Sequence, residues 1–472
     1  MSSPTISRSF TAANQTWFAE VSGDKNPLHV DPSYAASTYP GKQVVHGAHA
    51  LLWALDQFFL INPSSSSPRI KAAFFKPILL DEKVCLNFGK KNISLVVNHT
   101  VMAYVSLLNE DLSCSLPRDL VKSWDIGPQP FDHYFEDLNT SSGYFRLPDN
   151  LNLLKESFPN LANSAGSEIV ASIAAISSLV GMVCPGLRSI LSSIDICPSL
   201  TNPQPNVNEL FFKVSRHSPP FARIEMDVNA LGCLAKVAAF SDRKPISQLT
   251  DSCITKLIKP NEFLGQSPLI IGSSGGLGLA TARLIAGGGA TPWLGVRDPS
   301  HASVIAKALK KDSKSVVFDV NKPIEGVERL SQLGWQGREL YYFATPRIFR
   351  RRTQCFQVED YTEYCFFYVE AFYDLVDKLM QFRPNNQLTI FYPSTTAIND
   401  SVDDLIEYRI AKEAGEQLCD HLCSSYPNLN VITVRLPRVI TRQTQTYLHV
   451  PAEHPELVMA PIVKQVQAGH KA

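Results

Sequence analysis

The pattern of hydrophobic and polar residues changes character once along the chain, close to Pro268. Before that point, an apolar helical segment is twice followed by alternating runs that predict antiparallel strands. These two helices are predicted at Ala48–Leu60 and Glu168–Val183. After Pro268, short apolar strands alternate with helices, which predicts a parallel sheet. The chain is therefore expected to contain a part of helices and antiparallel strands, followed by an α/β part.

The alternating runs also locate the individual strands. In the first part we predict strands at Ile70–Phe75, Val84–Phe88, Ser94–Leu107, Leu210–Ser215, Ala222–Val228 and Cys233–Phe240. In the second part we predict strands at Leu269–Gly272, Thr291–Gly295, Ser315–Asp319, Leu340–Ala344, Leu388–Tyr392 and Val431–Leu436. Residues 115–165 are expected to be a long irregular connection and residues 245–266 a linker, and the pattern is weak past about residue 445.

Composition sets limits on this picture. A chain of 472 residues exceeds the size of one core, so two or three domains are expected. Lys+Arg and Asp+Glu both number 44, which gives no sign of a nucleic-acid or membrane partner. The ten cysteines include no C-x-x-C pair and no zinc-site spacing, so we expect no metal and a reducing compartment. With no signal-peptide pattern and no apolar run of ~20 residues, a cytoplasmic protein is predicted.

The first chemical motif is a loop from Val21 to Asp31 that reads V-S-G-D-K-N-P-L-H-V-D. Hydration of a carbon–carbon double bond beside a thioester needs a base for water, a proton donor for the α-carbon and a donor for the enolate oxygen. The Asp24 carboxylate and the His29 imidazole can share the first two tasks. The N–H of Gly47, at the start of the predicted apolar helix, can supply the third. The alternative is that Asp24 and Asn26 merely cap a turn.

The string S-G-D-x-N-P-L-H, followed by V-H-G, resembles the MaoC-like, or hydratase 2, family of (R)-specific enoyl-CoA hydratases over about residues 10–110. The resemblance implies a hot-dog fold in which Asp24 and His29 are the catalytic pair. It further implies that Asn26 orients them, that the Gly47 N–H lies in the oxyanion hole, and that the substrate is an acyl-CoA or acyl-carrier-protein thioester.

Residues 166–240 contain no such loop, and we interpret them as a second hot-dog half. In double-hot-dog members of the hydratase 2 family, the half with the catalytic loop comes second, whereas in this chain it comes first. The helix of the second half is open to two interpretations, as plain core or as lining of an acyl tunnel.

The second motif follows the predicted strand Leu269–Gly272, where a run of glycines leads into a helix. Glycines at such a turn let the backbone approach a pyrophosphate at the helix N-terminus. Further along, Tyr408 and Lys412 are four residues apart, on one face of a helix. A lysine charge there, together with that of a nicotinamide, would lower the pKa of the phenol, so that the tyrosine could exchange a proton with a carbinol oxygen.

This spacing resembles the short-chain dehydrogenases/reductases. By that resemblance Tyr408 is the acid/base, Lys412 binds the ribose, and Ser394 holds the substrate oxygen, with Thr395 as the alternative. The implied cofactor contacts, besides Tyr408 and Lys412, are Gly272, Ser274, Gly276, Leu277, Gly278, Arg297, Asp319, Val320 and Ala344. Arg297 favours NADP(H) over NAD(H), because a guanidinium can bind a 2′-phosphate; a solvated loop arginine is the alternative.

Three features depart from this second family. The N-N-A-G usual after the fourth strand is absent, and Tyr368 stands where the next helix usually carries an asparagine. The run Arg347–Arg352 is strongly basic, which suits the phosphates of a carrier such as CoA or, equally, a solvated face.

Together these patterns predict an α+β double hot-dog followed by an α/β Rossmann-type doubly wound parallel sheet. The predicted parts are residues 1–125, 126–250 and 258–450, with a tail at 451–472. The predicted protein is a homodimeric enzyme of fatty-acid or polyketide metabolism with two activities. One is (R)-specific 2-enoyl-thioester hydratase/3-hydroxyacyl dehydratase, and the other is NADP(H)-dependent 3-ketoacyl reductase/3-hydroxyacyl dehydrogenase.

Three alternatives stay open. The reductase-like part could bind a nucleotide without catalysis, the chain could be a non-catalytic acyl-binding partner of a synthase, or the reductase could act on another carbonyl, such as that of a nucleotide sugar.

Overall fold

The structure, a computed structural model, describes residues 6–38, 41–63, 68–109, 112, 122–148, 153–198, 209–244, 248–300, 305, 309, 312–348, 356–399, 405–441, 444 and 452–469. The chain forms two compact units. Unit 1 comprises Met1–Pro245 with Thr446–His449, and unit 2 comprises Ile246–Gln445 with Val450–Ala472. The finer division at residues 125 and 250 stays a prediction, and the predicted boundary at 450/451 lies outside the described residues.

Unit 1 contains one antiparallel sheet of ten strands in the order β1-β3-β4-β5-β2-β7-β10-β9-β8-β6. The strands are β1 Ile6–Ser9, β2 Arg69–Phe74, β3 Lys83–Phe88, β4 Asn92–Val97, β5 Thr100–Leu108, β6 Ser142–Arg146, β7 Ser189–Pro198, β8 Glu209–Ser218, β9 Arg223–Ala230 and β10 Cys233–Ser241. The sheet has two halves of five strands, because β2 and β7 pair at its centre with Ile70 opposite Ile196.

Each half of the sheet has one long apolar helix. The helices of unit 1 are α1 Ala12–Ser22, α2 Pro27–Val30, α3 Pro32–Ser37, α4 Gly47–Ile61, α5 Leu153–Ser157, α6 Pro159–Ala165 and α7 Ser167–Ser178. Helix α7 continues into one π-helical turn, Leu179–Val183. Helices α4 and α7 are apolar on most sides, as expected of helices buried all round, and they share a single hydrophobic core with the sheet.

Two predictions for unit 1 are wrong. The run Ser94–Leu107 is not one strand, because Asn98 and His99 form a tight turn with φ of 45° and 63° between β4 and β5. Strand β7 was not predicted at all. It lacks a clean alternation because Ser192 is an extra residue at a shift in the register between β7 and β10. The short strands β1 and β6, at the two edges of the sheet, were also missed.

Unit 2 contains a parallel sheet of six strands in the order β13-β12-β11-β14-β15-β16. The strands are β11 Leu269–Ile271, β12 Trp293–Val296, β13 Lys314–Val317, β14 Glu339–Tyr342, β15 Leu388–Thr395 and β16 Leu429–Leu436. The order reverses between β11 and β14, which is the switch point of a doubly wound sheet. The predicted parallel sheet is confirmed.

The helices of unit 2 are α8 Asp251–Leu257, α9 Gly276–Gly287, α10 Pro323–Gln332, α11 Val358–Cys365, α12 Ala371–Phe382, α13 Ile406–Ser425 and α14 Pro455–Ala468. A π-helical turn, Phe366–Glu370, joins α11 and α12. Helices α8 and α14 lie in segments that were expected to be linker and weakly patterned tail. The interior Pro461 hid α14 from sequence analysis, although Gln467 anchors the helix by donating to Tyr341 Oη at 3.0 Å.

Among the described residues, no single helix has the length and apolar character needed to cross a bilayer. One bent pair, Pro159–Ala165 with Ser167–Val183 at 116°, passes that test of length and composition.

Candidate active sites

The predicted catalytic loop of unit 1 lies directly after α1 and is buried. Helix α1 ends at Gly23, whose φ of 84° turns the chain sharply into the loop. The Asp24 and Asn26 side chains that follow are only 2% and 1% exposed. A buried carboxylate requires hydrogen-bond donors, so its partners define the site.

The Asp24 carboxylate is held by residues from both halves of unit 1. Its Oδ2 accepts a hydrogen bond from Ser177 Oγ at 2.6 Å, and its Oδ1 accepts one from the Asn26 N–H at 3.3 Å. Gly181, in the π-helical turn, lies so near that a Cβ there would be 2.0 Å from Oδ1. Sequence analysis missed Ser177 and Gly181; the only signal was small residues at the end of an apolar helix.

Asn26 joins the loop to the segment that follows α7. Its side-chain amide donates to the carbonyls of Gly181 at 3.0 Å and Gly186 at 3.2 Å. Its Oδ1 accepts from the N–H of Leu28 at 3.0 Å. Asn26 therefore fixes the loop between Asp24 and His29, as its predicted orienting role requires. It also caps α2, as the turn-capping alternative requires.

Two histidines face the Asp24 carboxylate. His29 Nδ1 lies 2.7 Å from the carbonyl of Val44, so Nδ1 carries the proton and Nε2 is left as an acceptor. The ring of His46 stacks on that of His29 with centroids 3.8 Å apart. Ligand atoms of Asp24, His29 and His46 all lie within 4.8 Å of one another. Sequence analysis assigned no role to His46.

His46 is fixed by a buried glutamine. Its Nδ1 lies 2.7 Å from Gln15 Oε1, which also accepts from the His46 N–H at 2.9 Å, and its Nε2 lies 3.0 Å from the carbonyl of Asp24. The Gln15 amide continues to His49 Nδ1 at 3.3 Å. Burial lowers the pKa of His46 well below its usual value and that of His49 to about 3, so burial opposes a positive charge on either ring.

Burial acts in opposite directions on the predicted catalytic pair. It raises the pKa of Asp24, against the lowering effects of the His29 charge and the hydrogen bonds from Ser177 and Asn26. It lowers the pKa of His29, against the raising effects of Asp24 and of the Val44 carbonyl. Both shifts favour the uncharged form, because the low-dielectric surroundings penalise charge.

This electrostatic arrangement predicts a pH profile. Asp24 must be ionised to accept a proton, so activity is present above its folded pKa and lost as the pH falls through it. A neutral His29 persists below its ordinary pKa. Because burial raises the pKa of Asp24, we expect the acid limb of kcat/KM for enoyl-thioester hydration to have its midpoint above the ordinary aspartate value. A midpoint at or below the ordinary aspartate value would contradict this assignment.

Gly47, the predicted oxyanion donor, lies at a helix N-terminus. It is the first residue of α4, and the first N–H groups of a helix have no partner within the helix. A Cβ at Gly47 would lie 3.3 Å from Phe74 Cε1 and 3.4 Å from Leu191 Cδ2. The absence of a side chain thus leaves the N–H accessible between two apolar neighbours, one from β2 and one from β7, where an acyl chain can pack.

The glycine-rich turn of unit 2 has the form that a dinucleotide requires. Gly272 has a φ of 82°, and a Cβ there would lie 2.9 Å from the backbone of Phe343. A Cβ at Gly278 would lie 2.3 Å from the carbonyl oxygen of Gly272, so only glycine lets α9 pack this closely on β11. The open turn before α9 leaves room for a pyrophosphate at the helix N-terminus, so the residues present fit the cofactor.

The other predicted cofactor contacts lie at the carboxyl ends of the parallel strands, which meet at one edge of the sheet. Arg297 is exposed directly after β12, and Asp319, after β13, accepts from Asn321 N and Nδ2 at 3.0 and 2.7 Å. The remaining predicted contacts on this edge are Ser274, Gly276, Leu277, Val320 and Ala344. Of the predicted basic run, residues 349–352 lie outside the described residues.

Ser394 and its alternative, Thr395, have different partners in the structure. Ser394 Oγ donates to Glu416, a carboxylate that also binds Arg435 at 2.7 Å, so Ser394 belongs to an ion-pair network. Thr395, the alternative, forms a side-chain hydrogen bond with Tyr408. Neighbouring residues of a strand point to opposite faces, so the register of β15 decides between them, and the sequence did not reveal that register.

The expected effect of Lys412 and a bound nicotinamide on Tyr408 stays a prediction. In the protein alone, burial raises the pKa of Tyr408. Lys412 Nζ donates to the carbonyl of Pro393 at 2.6 Å and lies 3.8 Å from the ring centroid of Tyr368. Burial lowers the pKa of Lys412 to about 7. Tyr368, noted as an unusual residue, thus covers the ammonium group that the resemblance assigned to ribose.

Unit 1 is therefore a helix-and-sheet unit in which Asp24 and His29 lie close together beside a helix N-terminus. Among known families, the MaoC like domain family matches residues 3–108, which lie in unit 1. The chain therefore contains a MaoC-like domain, as predicted from the loop. The (R)-specific enoyl-CoA hydratase of Aeromonas caviae is 48% identical over 42 residues, which are 9% of this chain and 31% of that enzyme. The matched segment thus spans less than a third of that relative.

Solved structures similar to this chain include short-chain dehydrogenases. A putative short chain dehydrogenase from Pseudomonas syringae shares 18% identity with a TM-score of 0.40, covering 44% of this chain and 92% of that one. The 3-oxoacyl (acyl-carrier-protein) reductase of Agrobacterium tumefaciens C58 with NADP bound shares 17% identity with a TM-score of 0.39, covering 44% and 88%. Unit 2 is a doubly wound sheet by its own strand order.

Proposed function

We propose that unit 1 is an (R)-specific 2-enoyl-thioester hydratase, which in reverse is a 3-hydroxyacyl-thioester dehydratase. One observation carries the proposal: the buried Asp24 carboxylate and a ring nitrogen of His29 lie within 4.8 Å of each other, in a MaoC-like domain. The proposal includes a double hot-dog fold for the two halves of the ten-stranded sheet, with the catalytic loop in the first half.

The proposed reaction uses three groups. The Gly47 N–H donates to the thioester oxygen as negative charge develops there. A water molecule binds between Asp24 and His29; its oxygen forms a bond to C3 while one O–H bond breaks. The pair accepts that proton and delivers one to C2, so that water is added across the double bond and both residues return to their starting protonation states.

We further propose that unit 2 binds a nicotinamide dinucleotide, preferably NADP(H), and reduces a 3-ketoacyl thioester. The bound cofactor would supply the hydride. Tyr408 holds a phenolic proton in a buried site, since burial raises its pKa, and Thr395 fixes the hydroxyl for transfer of that proton to the substrate oxygen. The (3R)-hydroxy product would be the species that unit 1 dehydrates or forms. A cytoplasmic homodimer and CoA or carrier-protein thioesters remain part of the proposal.

The absorbance of the enoyl-thioester band tests the proposal for unit 1. We expect the whole protein to bleach this band with crotonyl-CoA and longer 2-enoyl-CoAs. In the same assay, oxidation of NADPH with acetoacetyl-CoA tests unit 2. A protein that changes neither absorbance with any CoA or carrier-protein thioester would be an acyl-binding partner without turnover, and its binding would be insensitive to substitution of Asp24.

One observation favours a second candidate for unit 2, a nucleotide-binding domain without reductase activity. Lys412 is enclosed by the rings of Tyr368 and Tyr392 and is bonded to the carbonyl of Pro393, away from a ribose. This candidate predicts that NADPH fluorescence reports binding while no 3-ketoacyl thioester or other carbonyl compound, such as a nucleotide sugar, oxidises the cofactor. Steady oxidation by acetoacetyl-CoA would exclude it.

Arg297 tests the cofactor preference. Arg297→Ala removes the exposed guanidinium that follows β12, so we expect the Kd for NADPH to rise about 10-fold while that for NADH is unchanged. Arg329→Ala is the matched control, because Arg329 is an exposed arginine of α10 that pairs with Glu325. Equal changes for both cofactors, or none, would identify Arg297 as a solvated loop residue.

A further inference from the structure

We infer that Ser177, from the half of unit 1 that contains no catalytic motif, is the positioning residue for the Asp24 carboxylate. The inference rests on the proposed hydratase function and deepens it. It means that the catalytic site is assembled from both halves, with the base in the first half and its orienting hydroxyl in the second.

The contacts of its two oxygens fix the orientation of the Asp24 carboxylate group. Ser177 is 5% exposed, and its Oγ lies 2.6 Å from Asp24 Oδ2. An ionised carboxylate can only accept, so the serine hydroxyl donates. The other oxygen, Oδ1, is bounded by the Asn26 N–H and by the bare Cα of Gly181. Any rotation of the carboxylate other than the half turn that exchanges its two equivalent oxygens would break both hydrogen bonds.

Two other buried serines of α7 donate to backbone carbonyls instead of to a carboxylate. Ser172 Oγ donates to the carbonyl of Ala230 at 2.8 Å, and Ser178 Oγ donates to that of Ser22 at 2.5 Å. Both tie the helix to neighbouring backbone, as buried hydroxyls commonly do. Ser177 instead donates to a buried carboxylate, which is a stronger bond and one that depends on the ionisation of its acceptor.

The effect on protonation has a defined sign. The titratable groups that face Asp24 are His29 and His46, among the residues that the structure describes. Ser177 adds a hydrogen bond to the charged form, which lowers the pKa of Asp24 against burial. Loss of the hydroxyl would therefore raise that pKa and release the carboxylate, and it would impair the chemical step more than substrate binding.

Ser177→Ala in the full chain tests the inference by kinetics. With crotonyl-CoA, we expect kcat to fall about 10- to 100-fold, KM to change less than about 2-fold, and the acid limb of kcat/KM to move up by about one pH unit. Ser177→Thr, which keeps the hydroxyl, should restore the acid limb. Ser172→Ala is the matched control on the same helix and should leave all three quantities unchanged.

A titration that does not depend on turnover separates this inference from the proposed function. With ¹³C-labelled aspartate, the Asp24 carboxyl resonance is assigned by its loss in Asp24→Asn. Its midpoint should rise by about one pH unit in Ser177→Ala but not in Ser172→Ala. A shifted midpoint in a protein without hydratase activity would overturn only the proposed function. An unchanged midpoint in Ser177→Ala would overturn the positioning role, whatever the activity.

Discussion

Asp24→Asn is expected to lower kcat for enoyl-thioester hydration by about 10²- to 10⁴-fold, the range for loss of a general acid–base group. The amide has almost the same shape and can still accept from Ser177, but it can take no proton from water. Because burial penalises the Asp24 charge, the variant should be at least as stable as the intact protein. Stopped assays of crotonyl-CoA hydration and a thermal melt measure the two effects.

Asp56→Asn is the control for this prediction. Asp56 is a second buried aspartate, on α4, and its Oδ1 accepts from the N–H groups of Asn160 at 2.8 Å and Leu161 at 3.1 Å. Its substitution should lower Tm because charge-assisted bonds to α6 are lost, while kcat stays within a few-fold. If Asp24→Asn kept more than a tenth of the activity, Asp24 would not be the base.

Gly181→Ala is expected to lower kcat about 100-fold or more while the protein stays folded. The new Cβ would lie 2.0 Å from Asp24 Oδ1, so one of the two must move. The end of a side chain moves more easily than the backbone of the π-helical turn, so the carboxylate is displaced, and a misplacement of about 1 Å costs about 10² in rate. Overpacking and the gain in helix propensity partly cancel, leaving the free energy of unfolding within about 2 kcal/mol.

Gly127→Ala is the control for the glycine substitution. No atom outside its chain neighbours lies within 4 Å of a Cβ at Gly127, so activity and Tm should both match the intact protein. A Gly181→Ala variant with full activity would mean that the carboxylate has room to work in another orientation. A variant that fails to fold would place the strain in the backbone instead of at Asp24.

Sequence analysis predicted correctly the elements that are marked by a local run of apolar residues. Helix α4 and most of α7 are apolar runs, and the strands of unit 2 are short apolar segments between helices. Sequence analysis did not predict the elements that depend on tertiary packing. Strand β7 has no clean alternation because Ser192 is an extra residue in its pairing with β10. Helix α14 forms despite Pro461 because its inner face is anchored on the parallel sheet.

The catalytic loop could be predicted because all its residues lie within one short motif. Ser177 and Gly181 could not, because they are more than 150 positions away and carry no motif of their own. In unit 2 the same limit applies to two contacts. The sequence placed Tyr408 and Lys412 on one helix face, but it did not show that the ring of Tyr368 covers the ammonium, or that Thr395 and not Ser394 contacts the phenol.

The configuration of the hydration product is the most direct test of the central claim. The intact protein and Asp24→Asn would be incubated with crotonyl-CoA and longer 2-enoyl-CoAs, and the 3-hydroxyacyl products separated on a chiral column. We predict (3R)-hydroxyacyl-CoA alone from the intact protein and almost none from the variant. A (3S) or racemic product, or equal product from both proteins, would contradict the assignment of an (R)-specific hydratase site to Asp24 and His29.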